Sequence, residues 1–299
     1  MGVHFLAMKP APFAYHAPTS IDEAVALLRE HGDEAKPLAG GQSLVPLMNF
    51  RLARPAHLVD LNRVAELAYI RSEDGAVRIG AMTRQREIER SALIAERWPL
   101  LTGATRHIGH VHIRNRGTVG GSLAHADPAA ELPAVMVVLN AEVLARGSRG
   151  ERTLTAQDFF VSHYATALEP DELLTEVRIP DLPPQTGWAF EELSRRHGDF
   201  ALVGVAALVT LDPGGSILEA PLAIAGGGPT PIRASGAEAM LAGQRPSEAL
   251  FRAAGERASR ELDPDSDVHA SAEYRREVAA VLTRRALVRA TAGLSASAA

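Results

Sequence analysis

The chain of 299 residues contains no cysteine. That absence excludes disulfides, thiolate nucleophiles, cysteine-ligated zinc and iron–sulfur clusters held by this chain alone. Any redox role must therefore use an organic cofactor or a metal held by oxygen and nitrogen. No apolar run approaches the ~20 residues that a membrane helix needs, so no membrane span is expected. Lysine and arginine are scattered and the net charge is −5, so the electrostatic footprint of a nucleic-acid binder is missing. Met1 to Pro10 lacks the basic flank and long apolar stretch of a secretory signal, which makes a cytoplasmic location the default expectation. The dinucleotide fingerprint Gly-x-Gly-x-x-Gly does not follow any strand pattern, and no phosphate loop ending in Gly-Lys-Ser/Thr occurs. No Ser-His-Asp spacing is visible either, and no carboxylate pair stands out as an acid and its base.

What is present is a soluble, core-forming composition, 46% apolar and 22% charged, long enough for two or three modules. Thr19 to His31 has a capping residue, early acids and apolar Ile21, Val25 and Leu28, and predicts an amphipathic helix ended by Gly32. Lys36 to Ala39 reads as a buried strand, and Leu44 to Leu52 as a helix stopped at Arg54-Pro55. Strands are expected at His57 to Leu61 and Ala76 to Gly80, a helix from Thr83, and a mostly helical stretch from Ile94 to Ile108. An apolar stretch at Leu132 to Leu139 precedes strands at Glu142 to Ala145 and Glu172 to Ile179. Proline and glycine concentrate between Pro180 and Gly187, which marks a domain boundary. Beyond it, Trp188 to Ser194, Phe200 to Leu211 and Ile217 to Ala225 read as an antiparallel meander. Helices are expected at Ser235 to Leu241, Glu248 to Glu261 and Ala272 to Ala292, the last with Tyr274, Val278, Val281 and Leu282 on one side. Ala296 to Ala299 reads as a frayed tail.

Two glycine pairs about eighty residues apart are the main chemical signal: Leu38-Ala39-Gly40-Gly41-Gln42-Ser43-Leu44 and Arg116-Gly117-Thr118-Val119-Gly120-Gly121-Ser122. Each offers bare backbone N–H groups and a small hydroxyl residue, the chemistry of a diphosphate cradle; each alone would better suit an ordinary turn. Asp127 and Glu131, four apart after Pro128, are either acids at a helix start or acceptors for a sugar or ribityl hydroxyl beside the cradle. His107, His110 and His112 form a histidine cluster in which His110, His112 and Arg114 share a face if the segment is extended. Arg114 and Arg116 would repel a dication there, so a structural or interface role is favoured and no metal site is assigned. Gly226-Gly227-Gly228-Pro229 reads as a tight turn.

The two glycine loops in this order, Ile113-Arg114-Asn115-Arg116 before the second of them, and Asp127-Pro128 followed by Glu131-Leu132-Pro133, resemble one family. It is the FAD-binding medium subunit of molybdenum hydroxylases, the group containing carbon monoxide dehydrogenase and, as a fused domain, xanthine dehydrogenase. The likeness extends to Phe13-Ala14-Tyr15-His16-Ala17-Pro18, to Glu172 through Pro180, and to Gly198-Asp199-Phe200-Ala201. The resemblance implies an α+β fold: a two-lobed FAD-binding domain of the vanillyl-alcohol-oxidase/PCMH type over 1–180, with lobes of about 1–60 and 61–180. A small C-terminal domain with an antiparallel sheet and helices would follow over 187–295. It further implies that Leu38, Ala39, Gly40, Gly41, Gln42, Ser43 and Leu44, with Thr118, Gly120 and Gly121, hold the diphosphate of FAD. Ile108 and Leu173 would pack on the cofactor, Asp127 and Glu131 would bond its polar chain or ring edge, and Phe200 would lie near the isoalloxazine. Relatives often carry Asp at the place of Glu131, Asn at that of Ser122, and in some cases Lys near Glu191 or Glu192.

By the same resemblance the chain is an electron exit. A large molybdenum-cofactor subunit would oxidise the substrate, a small [2Fe–2S] subunit would relay electrons, and FAD here would pass them to an external acceptor. A dimer of such heterotrimers is the expected assembly. A second reading is a self-sufficient FAD-dependent oxidase acting on an alcohol or lactone, which would need a base over the flavin. A third treats the glycine loops as turns and the chain as a non-enzymatic assembly subunit.

Overall fold

The computed structural model of the chain describes residues 9–294. The segment Met1 to Pro10 and the tail at Ala296 to Ala299 lie outside the described residues, apart from Lys9 and Pro10. The chain first builds a three-stranded parallel sheet in the order Ala14–His16, His57–Asp60, Ala35–Leu38. Parallel strands need crossovers: the helix Ile21–His31 links the two outer strands, and the helix Leu44–Asn49 links Ala35–Leu38 to the central one. Its start is fixed by Ser20, whose side chain accepts the Glu23 N–H, and Gly32 at φ 51° ends it. Ile21, Ala24, Val25 and Leu28 form its buried face, packed in one core with Val59, Leu61 and Leu67.

A five-stranded antiparallel sheet follows, ordered Ile70–Glu73, Ala76–Gly80, Leu173–Pro180, Glu142–Gly147, Gly150–Thr155. Its two outer strands carry mostly exposed polar side chains, so they show no apolar alternation and were not expected from sequence. The helical stretch expected from Ile94 to Ile108 is two helices, Ala92–Arg97 and Pro99–Thr105. Pro99 has no N–H to continue the first helix and starts the second. Trp98 at the break is fully buried, and its Nε1 donates to the Pro180 carbonyl at 2.8 Å. The His110 to Arg114 segment is not extended: the helix Val111–Arg116 places His112 and Arg114 on different sides. Glu131–Val138 is a helix with every residue buried, consistent with an apolar run enclosed on all sides.

The C-terminal sheet runs Thr186–Ser194, Ala201–Leu211, Leu222–Ala225, Ile232–Arg233, with Ile217–Glu219 paired to its long second strand. The single strand expected over Ile217 to Ala225 is thus two, split at Ala220-Pro221, where proline removes a donor. The helices Ser235–Leu241, Glu248–Ser259 and Ala272–Ala292 cover one face of this sheet. On the last helix the buried stripe is Ala279, Leu282, Ala286, Leu287 and Ala290, while Tyr274 and Val281 stay largely exposed, contrary to the expected face. Small alanines win because the helix lies against backbone: a Cβ on Gly187 would fall 1.8 Å from the Ala290 carbonyl oxygen. Along Ala201–Leu211 the side chains alternate between two cores. Val203, Val205, Ala207 and Val209 join the C-terminal helices, and Ala206 and Leu208 join the core of the five-stranded sheet and its helices.

Candidate functional site

The strand Ala35–Leu38 ends where it pairs with Asp60, and the chain turns through Ala39 to Ser43 into the helix Leu44–Asn49. Gly41 takes φ 74°, a left-handed turn that suits glycine. The second loop leads through Thr118, whose hydroxyl caps the helix Val119–His125 by accepting the Gly121 N–H at 3.0 Å. The two loops touch. A Cβ on Gly40 would lie 2.3 Å from the Arg116 carbonyl oxygen, and one on Gly121 would lie 3.2 Å from the Ala39 Cβ and 4.0 Å from the Gly40 nitrogen.

Gly120 and Gly121 have different surroundings. Gly120 is buried against Ala81, whose carbonyl accepts its N–H at 2.9 Å, and a Cβ there would meet the Ala81 Cβ at 2.5 Å. Gly121 instead faces the first loop. Among the described residues, the N–H groups of Gly40, Gly41, Gln42 and Ser43 have no acceptor within the chain. Four unpaired backbone donors beside a second glycine loop fit an anionic diphosphate, which would accept from them at close range. Ser122 sits half-exposed on the first turn of the capped helix, and Leu44 begins the other helix.

Residues that sequence alone did not single out frame this cradle. Arg84 Nη2 donates to Asn62 Oδ1 at 2.6 Å and its Nη1 to the Arg116 carbonyl, so one guanidinium ties the Asn62 segment to the second glycine loop. Asn62 Nδ2 in turn donates to the Ala39 carbonyl at 3.0 Å. Burial and the neighbouring Arg116 charge hold the Arg84 guanidinium below its usual pKa, so an anion there would be favoured. Burial alone would raise Asp60, yet the Tyr15 hydroxyl, the Asn62 donors and Arg116 hold it below the usual carboxylate range. Gln85 packs under Gly117 and donates its backbone N–H to the Gly117 carbonyl at 2.9 Å. In sequence Arg84 and Gln85 read as a helix start and Asp60 as part of a strand, because their partners lie far along the chain.

A second group lies where the C-terminal sheet meets the second lobe. Asp127 is buried, and its Oδ1 accepts the Ala129 N–H at 2.9 Å. Burial pushes Glu131 up to about 7, with Asp127 adding to the rise. On the strand Thr186–Ser194, burial and the Glu131 charge push Glu192 up to about 8. Among the described residues, the buried Glu192 Oε2 has no hydrogen-bond partner, and His107 Nδ1 stands 4.0 Å away. Burial also lowers the His107 pKa, so the imidazole is poorly placed to neutralise the acid. Arg114 holds the intervening turn: it donates to the Ile108 carbonyl at 2.9 Å, to Gly109 at 3.2 Å and to Glu89 Oε2 at 2.9 Å. Burial would raise Glu89, but Arg114 and Arg86 keep it below the usual range.

The remaining candidates fall in separate places. Ile108 is buried in the core of the second lobe, whereas Leu173 is buried in the first lobe's core, against which Ala39 packs. Phe200 is 56% exposed, on the loop between the first two strands of the C-terminal sheet. Gly198 on that loop, at φ 91°, lies against the His110 ring, which brings the loop over the helix Val111–Arg116. The turn at Gly226 is pinned by its N–H to the Pro128 carbonyl at 2.8 Å.

Residues 11–182 match the family described as the FAD binding domain in molybdopterin dehydrogenase, and residues 188–290 match the CO dehydrogenase flavoprotein C-terminal domain. The chain is 47% identical over 283 residues to the 6-hydroxypseudooxynicotine dehydrogenase complex subunit alpha of Paenarthrobacter nicotinovorans, covering 95% of this chain and 96% of that protein. It is 40% identical over 280 residues to the carbon monoxide dehydrogenase medium chain of Hydrogenophaga pseudoflava, covering 94% and 97%. Among solved structures, carbon monoxide dehydrogenase from Hydrogenophaga pseudoflava superposes with a TM-score of 0.92 at 41% identity, covering 95% of this chain and 98% of the other. Quinoline 2-oxidoreductase from Pseudomonas putida 86 gives 0.91 at 39%, covering 96% and 99%. Two touching glycine loops with unpaired amides, set in a fold shared along almost its whole length, place this chain in the family of FAD-binding medium subunits of molybdenum hydroxylases.

Proposed function

We propose that the chain takes electrons from [2Fe–2S] clusters of a partner subunit and passes them, through its FAD, to an external acceptor. The observation that supports this most is the contact between the two glycine loops, with four backbone donors beside it unpaired among the described residues. In this reading Leu38 to Leu44, Thr118 and Gly121 hold the diphosphate, and Arg84 and Arg116 supply positive potential around it. Gly120 acts by letting its helix approach Ala81. Ser122, Asp127 and Glu131 bond the polar chain or ring edge, Ile108 and Leu173 wall the pocket, and Phe200 borders the ring. Bound FAD supplies one- and two-electron chemistry, and these side chains set its position and keep water away.

The absence of cysteine requires the clusters to reside on another chain. The partners of this reading are a large molybdenum-cofactor subunit and a small [2Fe–2S] subunit, assembled in the cytoplasm as a dimer of heterotrimers. The working division is an FAD-binding domain over 1–180 and a C-terminal domain over 187–295. Purification of the native complex tests the reading. It should carry two further chains and show flavin together with iron–sulfur absorbance. Reduction of the flavin in the isolated chain by an organic alcohol or lactone would overturn it in favour of a self-sufficient oxidase.

A further inference from the structure

Three histidines meet in the first lobe, away from the glycine loop. His16 ends the strand Ala14–His16, His31 ends the helix Ile21–His31, and His57 opens the strand His57–Asp60. In the sheet register His57 lies opposite Ala35, three residues before Leu38. At about 3.3 Å per residue, that sets the cluster about 10 Å from the strand end that feeds the cradle.

His16 Nε2 and His57 Nδ1 are 3.0 Å apart. The His31 ring stacks on the His57 ring with centroids 3.6 Å apart, and its centroid is 5.1 Å from that of His16. One ring nitrogen from each of the three lies within 4.8 Å of the other two. A His16–His57 hydrogen bond needs one ring to donate and the other to accept. Among the described residues, the His31 nitrogens have no hydrogen-bond partner, so that ring is held only by stacking.

We propose that His16, His31 and His57 form a binding site for a transition-metal dication of the zinc class. With metal–nitrogen bonds of about 2.0–2.1 Å, two imidazole nitrogens on a tetrahedral ion stand about 3.3 Å apart, close to the His16–His57 spacing. His31, half-exposed at the end of its helix, completes the set by turning its ring out of the stack. Three imidazoles without a carboxylate select zinc, nickel or copper over calcium or magnesium, which take oxygen ligands. The fourth position is left to water. Each ligand belongs to a different element, so the ion clips the helix end to two strands of the parallel sheet. The ligands are 15 and 26 residues apart, which is why no local motif announced them.

The test uses the tag-free, full-length, FAD-loaded chain after dialysis against a chelator. Zinc is titrated by calorimetry, and cobalt by its visible absorption. The expected result is one ion per chain, a four-coordinate cobalt spectrum and an unfolding temperature raised by a few degrees in zinc. His57→Ala and His31→Gln should each weaken binding by at least ~10-fold, whereas the double substitution His110→Gln, His112→Gln should not. Should His57→Ala fail to fold, judged by lost FAD, His31→Gln at the half-exposed helix end decides alone. Unchanged stoichiometry and affinity in His31→Gln, or no binding by the parent at millimolar zinc, would overturn the proposal.

Discussion

Gly40 lies back to back with Arg116: a side chain on the glycine would have to occupy the space of the Arg116 carbonyl oxygen, 2.3 Å from its Cβ. The contact joins loops from two lobes without any side chain between them, so it tolerates no added atom. Gly40→Ala should part the loops and lower FAD affinity by at least ~10-fold, equivalent to about 1.4 kcal/mol. The flavin-to-protein absorbance ratio after gel filtration reads this directly. Full flavin retention in the variant would show that the loop contact is irrelevant to binding.

Arg84 should act through both geometry and charge. Removing a hydrogen bond to a charged group costs about 1.5–3 kcal/mol, so Arg84→Ala should weaken FAD binding by ~10-fold or more. Arg84→Lys should recover only part, since one ammonium cannot reach both Asn62 Oδ1 and the Arg116 carbonyl as a planar fork does. Fluorescence titration of the apoprotein with FAD measures both, and equal affinity of the lysine variant and the parent would contradict the bridging role.

Glu131 and Glu192 titrate late because folding buries them side by side. Their folded values, about 7 and about 8, lie above the ordinary 4.5. The stability these two carboxyls contribute is therefore complete below about pH 4.5, falls above it, and is lost as the pH rises through 7 to 8. Glu192→Gln removes the buried charge and should match the parent at pH 5. At pH 8 it should exceed the parent by on the order of 1–2 kcal/mol. Denaturant melts at the two pH values, with flavin content matched, check this; the same offset at both would sink it.

Trp98 closes the break between two helices and carries the bond to Pro180. Trp98→Ala should cost roughly 3–5 kcal/mol by leaving a large cavity, and Trp98→Phe considerably less. Thermal melts distinguish them. Comparable losses in both variants would assign the effect to the Nε1 hydrogen bond and not to packing.

Much of the fold was legible because it rests on local signals. The capped helix Ile21–His31 follows from a capping residue, apolar spacing and a glycine stop, and the long helix Ala272–Ala292 was expected over the same span although its buried face was not. The strands Ile70–Glu73 and Gly150–Thr155 were not legible, because they are polar outer strands held by ladder hydrogen bonds that leave no trace in composition. The glycine loops showed in sequence as two similar signals, although their contact is a tertiary fact. Arg84 escaped notice, and Glu192 showed only as a departure from relatives and not as a buried acid, for opposite reasons. Arg84 looks like any surface cation until its distant partners are known, and an acid in an alternating strand reads as solvent-facing when here it is enclosed.

The long strand Ala201–Leu211 has a consequence for how the protein comes apart. Since Ala206 and Leu208 belong to one core and their neighbours to another, neither region can melt without stripping one side of the same strand. Heat should therefore produce one cooperative calorimetric transition across both regions. A chain truncated after the linker would expose the apolar surface that Ala206, Leu208 and Ala223 now cover, and would aggregate before it could serve as an independent flavin carrier.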